Sequence, residues 1–244
     1  MNNIYGYMRV AAAVPRVHIA DARRNAEDAL KIMQDAFKEG VEIVVMPELS
    51  LVGYTCGDMV LQKKLLSDAE RALEWLMAEC ADIPTVGIVG LPVVYADRLY
   101  NCAAVFAQGQ LWGIVPKCYI PNYGEFSELR WWVSGYGIKD RVIRYAGQEC
   151  PFGSDLMFDL RGVEFGVEIC EDLWTPLPPS TIMSLNGADI NSAKGELDTL
   201  KTQLSTAQGE LEKLKQTKDG QPDKLKEAAD AIKALQTELS TMKK

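Results

Sequence analysis

The chain has 244 residues, 34 acidic against 26 basic side chains, a formal net charge of −8 and a single histidine. That length allows a sizeable core in one large or two smaller domains, and the acidic balance argues against nucleic acid or an anionic membrane as the main partner. With no apolar run long enough to span a bilayer and no signal-peptide core near Met1, the cytoplasm is the expected compartment; the six cysteines (Cys56, Cys80, Cys102, Cys118, Cys150 and Cys170), which lack CxxC spacing, are expected as reduced thiols there, not as a disulfide framework or a zinc site.

Arg9–Val14 is a short β-rich run stopped by Pro15 and reads as a strand. His18 lies in the loop that follows and reads as structural or solvated, although any Ser-His-Asp or Cys-His arrangement would have to use it. Asp21 or Asn25 caps a helix through about Lys38, with Ala29, Leu30, Met33 and Phe37 on one face and Gly40 as its stop. Val41–Met46 is nearly all apolar, as a strand covered on both faces should be. Strand, helix and strand in this order make a βαβ unit, and it ends on Pro47–Glu48. A carboxylate just past a buried strand is partly out of water and suits a general base; the plain alternative is a solvated loop glutamate. Leu51–Asp58 reads as a loop with Gly53 and Gly57, and helical periodicity returns from about Leu61 to Cys80. Pro84–Leu91 is a further strand, and Leu99–Phe106 pairs with Gln110–Val115 as a hairpin across Gln108–Gly109.

After that hairpin comes Pro116–Lys117–Cys118, where a lysine read by itself is a surface charge. The stretch Tyr119–Glu128 is rich in aromatics and acids, which is unusual for an idle connection. Asp155–Asp159 and Val163–Ile169 form the last strand pair, and the second strand stops at Cys170. A thiol at the end of a buried strand stands where open α/β folds place their chemistry, although a small buried apolar cysteine is the commoner case. Glu48, Lys117 and Cys170 each follow a different strand, so they converge if those strand ends share an edge. Cysteine then attacks, glutamate takes its proton and lysine stabilises charge on the substrate oxygen. Lys117 should also let Cys170 form thiolate more readily than a free cysteine at ~8.5, with Glu48, Glu171 and Asp172 opposing it.

Pro47–Glu48–Leu49 with Gly53–Asp58, Lys117 with Pro121–Phe126, and Glu168–Trp174 with Pro176–Ser180 form three separated motifs in order. Together they resemble the carbon–nitrogen hydrolase (nitrilase) superfamily, and more closely the amidase domains of bacterial glutamine-dependent NAD⁺ synthetases, from about Tyr5 to Asp189. The resemblance implies an α/β fold, the αββα sandwich, and hydrolysis of the side-chain amide of L-glutamine to supply ammonia for NAD⁺ synthesis. It implies Glu48 as base, Lys117 as oxyanion-side cation, Cys170 as nucleophile and Tyr123 as a glutamine contact. Glu171 joins Tyr123 as a substrate-side candidate, and Glu125 or Glu128 is the supporting second glutamate. The amidase step is expected to need no cofactor. ATP would be needed only by the family's synthetase domain, whose Ser-Gly-Gly-x-Asp-Ser loop does not occur in this sequence, so this chain alone is not expected to make NAD⁺.

Near Ala188 the composition changes, and residues 189–244 hold no Cys, Trp, Tyr or Phe. Where the family continues with a strand, a Ser-bearing loop and an arginine, this chain runs Asn191–Leu197, so the sandwich is expected to be C-terminally incomplete. The amidase domain is accordingly expected over 1–188. In 189–244, Ile190, Ala193, Leu197, Leu200, Leu204, Ala207, Leu211 and Leu214 step as an a/d seam, Gly220 and Pro222 break it, and a second seam runs from Leu225 to Met242. An α-helical hairpin that covers the open edge or self-associates is the expectation. Two further readings remain at this level: a stand-alone hydrolase of another small amide, and an inactive amidase fragment carrying a helical association module.

Overall fold

A computed structural model describes residues 7–193. They belong to the first of two units of the chain, which ends at Lys194. The expected helical hairpin, and the expected incompleteness of the sandwich beyond Ala193, fall outside the described residues.

Seven strands form one mixed sheet: β1 Val10–Ala12, β2 Ile43–Val45, β3 Val86–Tyr95, β4 Arg98–Ala107, β5 Gln110–Pro116, β6 Arg141–Tyr145 and β7 Gln148–Phe152, in the order β1-β2-β3-β4-β5-β7-β6. The βαβ unit is present, with β1, β2 and β3 parallel. Helix α1, Ala22–Lys38, starts where its cap sequence says, the Asp21 side chain accepting from the Arg24 N–H. Asn25 serves differently from the expected alternative cap: it is buried, and its side chain ties the His18 and Leu51 carbonyls together. Helix α2, Lys63–Glu79, lies after 3-10 turns at Tyr54–Leu61 that occupy the Gly53–Gly57 loop.

The alternation of strand residues sorts the core into two layers. Val44, Val89, Leu91, Cys102, Ala104 and Phe106 join Ala26, Met33, Leu73 and Leu76 of the two helices. Their neighbours Ile43, Val86, Ile88, Ala103, Val105 and Val115 face Phe158, Phe165 and Val167 of a second sheet. That sheet has the order β10-β9-β8, from β8 Met157–Leu160, β9 Val163–Glu168 and β10 Ile190–Ala193. Its other face carries α3, Pro179–Leu185, against Gly166, where an added Cβ would stand 2.2 Å from Met183 Sδ. The layers therefore run helix, sheet, sheet, helix. Each fully buried Phe or Leu between them contributes ~1.5–3 kcal/mol relative to exposure.

Three expectations change. Ile190 and Ala193, read as the first positions of a helical seam, lie in β10, which pairs parallel with β9. The hairpin β6–β7 was not expected. And β3 runs on to Tyr95 because Ala96 and Asp97 both adopt left-handed φ, 49° and 58°, closing a two-residue turn into β4.

Candidate active site

Each of the three residues is held by a short-range device. Glu48 follows β2 in a turn that docks on β3: Leu51 N–H donates to the Gly90 carbonyl, and Gly90 N–H to Ser50 Oγ, both at 3.0 Å. The docking needs a glycine at 90, because a Cβ there would lie 2.2 Å from the Leu49 nitrogen and 2.7 Å from the Pro47 oxygen. Lys117 follows β5. Its N–H donates to the Asn101 carbonyl and its own carbonyl accepts from Gly135 N–H, both at 2.8 Å. Cys170 follows β9 at the head of a 3-10 turn, Cys170–Trp174, with a left-handed φ of 49° that turns the thiol out of the strand direction.

These devices bring the three side chains together, although not along one edge of one sheet as expected. β2 and β5 belong to the seven-stranded sheet and β9 to the other, so the site is assembled across the sandwich. Lys117 is not a surface charge; it is 1% exposed. Its Nζ lies 2.7 Å from Glu48 Oε1 and 3.0 Å from Glu128 Oε2. Glu48 Oε1 also accepts from Asn101 Nδ2 at 2.6 Å, and Tyr54 OH donates to Glu128 Oε1 at 2.5 Å. The Cys170 thiol lies within the electrostatic reach of Glu48, Lys117 and Glu128.

The electrostatics follow from one cation between two carboxylates in a dry place. Burial pulls the Lys117 ammonium down, but Glu48 and Glu128 together outweigh it and hold the group above its ordinary value. It therefore stays charged throughout the neutral range. Burial raises the Glu128 carboxyl, opposed chiefly by Lys117. Burial also pushes the Cys170 thiol up to about 12, aided by Glu48 and opposed by Lys117. This runs against the expectation of an easily formed thiolate: burial and Glu48 outweigh Lys117 and hold the Cys170 thiol protonated. The pair suits proton removal during attack, not a standing thiolate.

Residues 9–213 match the family model described as carbon-nitrogen hydrolase. The chain belongs to the carbon–nitrogen hydrolase family. Among curated proteins it is similar to the glutamine-dependent NAD(+) synthetase of Mycobacterium tuberculosis (strain H37Rv), 41% identical over 189 residues that cover 76% of this chain and 28% of that protein. The Aquifex aeolicus protein of the same name is 33% identical over 172 residues, covering 70% and 27%. A crystal structure of a glutamine-dependent NAD(+) synthetase from Cytophaga hutchinsonii superposes with a TM-score of 0.62 at 29% identity, over 67% of this chain and 28% of that one. An amidase from Nesterenkonia sp. has the same fold, with a TM-score of 0.56 at 17% identity over 75% and 63% of the two chains. The chain thus spans less than a third of the length of the curated relatives it matches, 28% for the first. The described layers are the α/β fold of the nitrilase superfamily, a mixed sheet with helices.

In this carbon–nitrogen hydrolase domain the two candidates for a second glutamate separate cleanly. Glu128 is 1% exposed and touches Lys117, while Glu125 is exposed on the loop. Tyr123 is 58% exposed and donates to Glu171 at 2.8 Å, which spans the loop and the cysteine turn. His18 lies away from this group, paired with Asp28 at 3.2 Å. Reading the sequence did not single out Tyr54, Asn101 or the structural role of Asp172. Asp172 is 2% exposed; Oδ1 accepts from Cys118 and Tyr119 N–H at 3.0 and 2.7 Å, and Oδ2 from Ile169 N–H at 3.0 Å. It thereby laces the segment after Lys117 to the turn that bears Cys170. Burial pushes its carboxyl up to about 7 against the pull of those three donors. Asp172 sat in a motif, but nothing local shows that a carboxylate two residues past the cysteine points inward.

Proposed function

We propose that this site hydrolyses the side-chain amide of L-glutamine through a Cys170 thioester, supplying ammonia for NAD⁺ synthesis of the kind its relatives' names describe. Glu48 takes the thiol proton as sulfur attacks the amide carbon. The oxygen gains charge within the field of Lys117, whose ammonium does not give up its proton and so acts by charge alone. Glu48 passes the proton to the departing nitrogen, and ammonia leaves. Water then loses a proton to Glu48 and attacks the thioester, glutamate leaves, and the thiol takes back its proton. Glu128 holds Lys117 from the far side, and Tyr54 holds Glu128. Tyr123, Glu171 and Glu125 form the substrate-side face. The scheme calls on no cofactor.

The observation that carries this reading is Lys117 Nζ held at 2.7 and 3.0 Å between Glu48 and Glu128, with the Cys170 thiol in the field of all three. The glutamine assignment draws its support from the curated relatives. The test is ammonia release from L-glutamine by the wild-type chain and by Cys170→Ala. The wild type should turn over and the variant should not. Equal release by both, or none from the wild type, overturns the reading.

A further inference from the structure

Asn101 sits in β4 with no exposed surface. It touches both the proposed base and the proposed cation: Nδ2 donates to Glu48 Oε1 at 2.6 Å, and its backbone carbonyl accepts from Lys117 N–H at 2.8 Å. Chemistry sets the orientation of the amide. Turned over, Oδ1 would face a carboxylate oxygen at the same separation, lone pair against lone pair. In the orientation that works, Oδ1 is buried without a hydrogen-bond partner. An unpaired buried amide oxygen is a standing cost that an apolar residue in this strand would avoid. The amide is therefore explained by Glu48 and not by the sheet.

Lys117 Nζ donates to the same Oε1 at 2.7 Å. Two donors thus occupy one oxygen of Glu48, and among the described residues no N–H donor meets Oε2. The groups that face Glu48 are Lys117 from the end of β5, Glu128 from its 3-10 turn, Tyr54 from the loop before α2 and Cys170 from the end of β9. Resting on the role proposed above for Glu48, we propose that Asn101 is a positioning residue that commits Oε1 to being held, so that Oε2 is the oxygen that takes and returns the Cys170 proton. The held oxygen keeps the carboxylate plane fixed through both half-reactions, in which the same lone pair must meet first the thiol and then water.

Asn101→Asp tests this. The variant is nearly isosteric and places a second carboxyl against Oε1, so the two groups share one proton near neutral pH. The base is then quenched until that proton leaves. The turnover number for ammonia release should fall about 100-fold at pH 7, and the gap should narrow about tenfold by pH 9, with KM within about threefold of wild type. A purely structural lesion would lower the rate by the same factor at both pH values. Asn101→Ala, which removes the donor without adding charge, should lower turnover about tenfold with KM unchanged. Equal loss at pH 7 and pH 9 in a folded Asn101→Asp, or wild-type turnover in Asn101→Ala, overturns the proposal. The alanine variant carries the test alone if the aspartate variant does not fold. Labelling of Cys170 by iodoacetamide separates the two readings, since it needs the same proton removed but no amide hydrolysed. Labelling about tenfold slower in Asn101→Asp than in wild type at pH 7 upholds Asn101 even if glutamine is not the substrate. Ammonia release together with unchanged labelling overturns Asn101 alone.

Discussion

Replacing Gly90 by alanine tests how closely turnover depends on where the Glu48 turn lies. The added Cβ would stand 2.2 Å from the Leu49 nitrogen, 2.7 Å from the Pro47 oxygen and 2.8 Å from the Glu48 carbonyl carbon. All three are backbone atoms, so no side chain can swing aside. Reaching even the 3.0 Å below which real Cβ contacts essentially never fall requires the turn to retreat by about 0.8 Å. A displacement near 1 Å at a reacting group costs about 10²-fold in rate, and a forced fit in a packed core about 1–3 kcal/mol. The expected result is a turnover number down about 100-fold and a melting temperature lower by about 2–12 °C, at ~2–4 °C per kcal/mol for a domain of this size. Gly87→Ala is the control. It lies on the same strand, and its Cβ would meet the Phe106 ring at 2.5 Å and Met33 Sδ at 3.0 Å, on the helix-covered side of the sheet. It should lower the melting temperature comparably and leave turnover within about twofold, because a core overlap of the same size has no path to Glu48. Ammonia release and thermal melting of both variants decide it. Wild-type turnover in a folded Gly90→Ala, or equal turnover loss in the two variants, refutes the reasoning.

Lys117→Met leaves Glu48 and Glu128 facing each other without a cation; ammonia release should fall at least ~10²–10³-fold, and denaturant melts should show a loss of about 3–5 kcal/mol. A variant within tenfold of wild type would count against the charge role of Lys117. Because the Cys170 thiol is held up to about 12, its labelling by iodoacetamide should keep rising from pH 7 to pH 10 and not level off near the ~8.5 of an ordinary thiol. It should still precede the other five cysteines, all of which are buried; a plateau below pH 9 argues against a protonated resting thiol. Asp172 has a folded-state value of about 7 against 3.8 for the free side chain, so the native state binds its proton more tightly and the group favours folding below pH 4. That contribution, on the order of a few kcal/mol, is lost as pH rises to about 7. The stability advantage of wild type over Asp172→Asn should therefore shrink between pH 4 and pH 7; an advantage that grows over that range would reverse the sign.

Much of the fold was legible because its signals are local. The Asp21 cap, the apolar face from Ala29 to Met33 and the glycine stop at Gly40 place α1 almost to the residue. The hairpin at Gln108–Gly109 was visible because a glycine marks its turn. The turn at Ala96–Asp97 has the same left-handed geometry without a glycine, and so β3 was read too short. Ile190 and Ala193 fit a three-four spacing, but four residues fit either period, and the neighbouring β9 decides for a strand.

The site divides in the same way. Residue types and their places after strands single out Glu48, Lys117 and Cys170, because a chemistry-bearing side chain just past an apolar run is a local pattern. With His18 its one histidine, and that one read as structural or solvated in a loop, the sequence also pointed to a carboxylate or lysine as the thiol's base. Only the tertiary structure decided the rest. It buries Lys117 between Glu48 and Glu128, leaves Glu125 exposed, and brings in Asn101, Tyr54 and Asp172. It also raises the Cys170 thiol, where easier thiolate formation was expected. The physical reason is that burial and Coulomb terms depend on distances across two sheets, between residues up to 122 positions apart from Glu48 to Cys170, and no short-range pattern in a chain encodes such a distance.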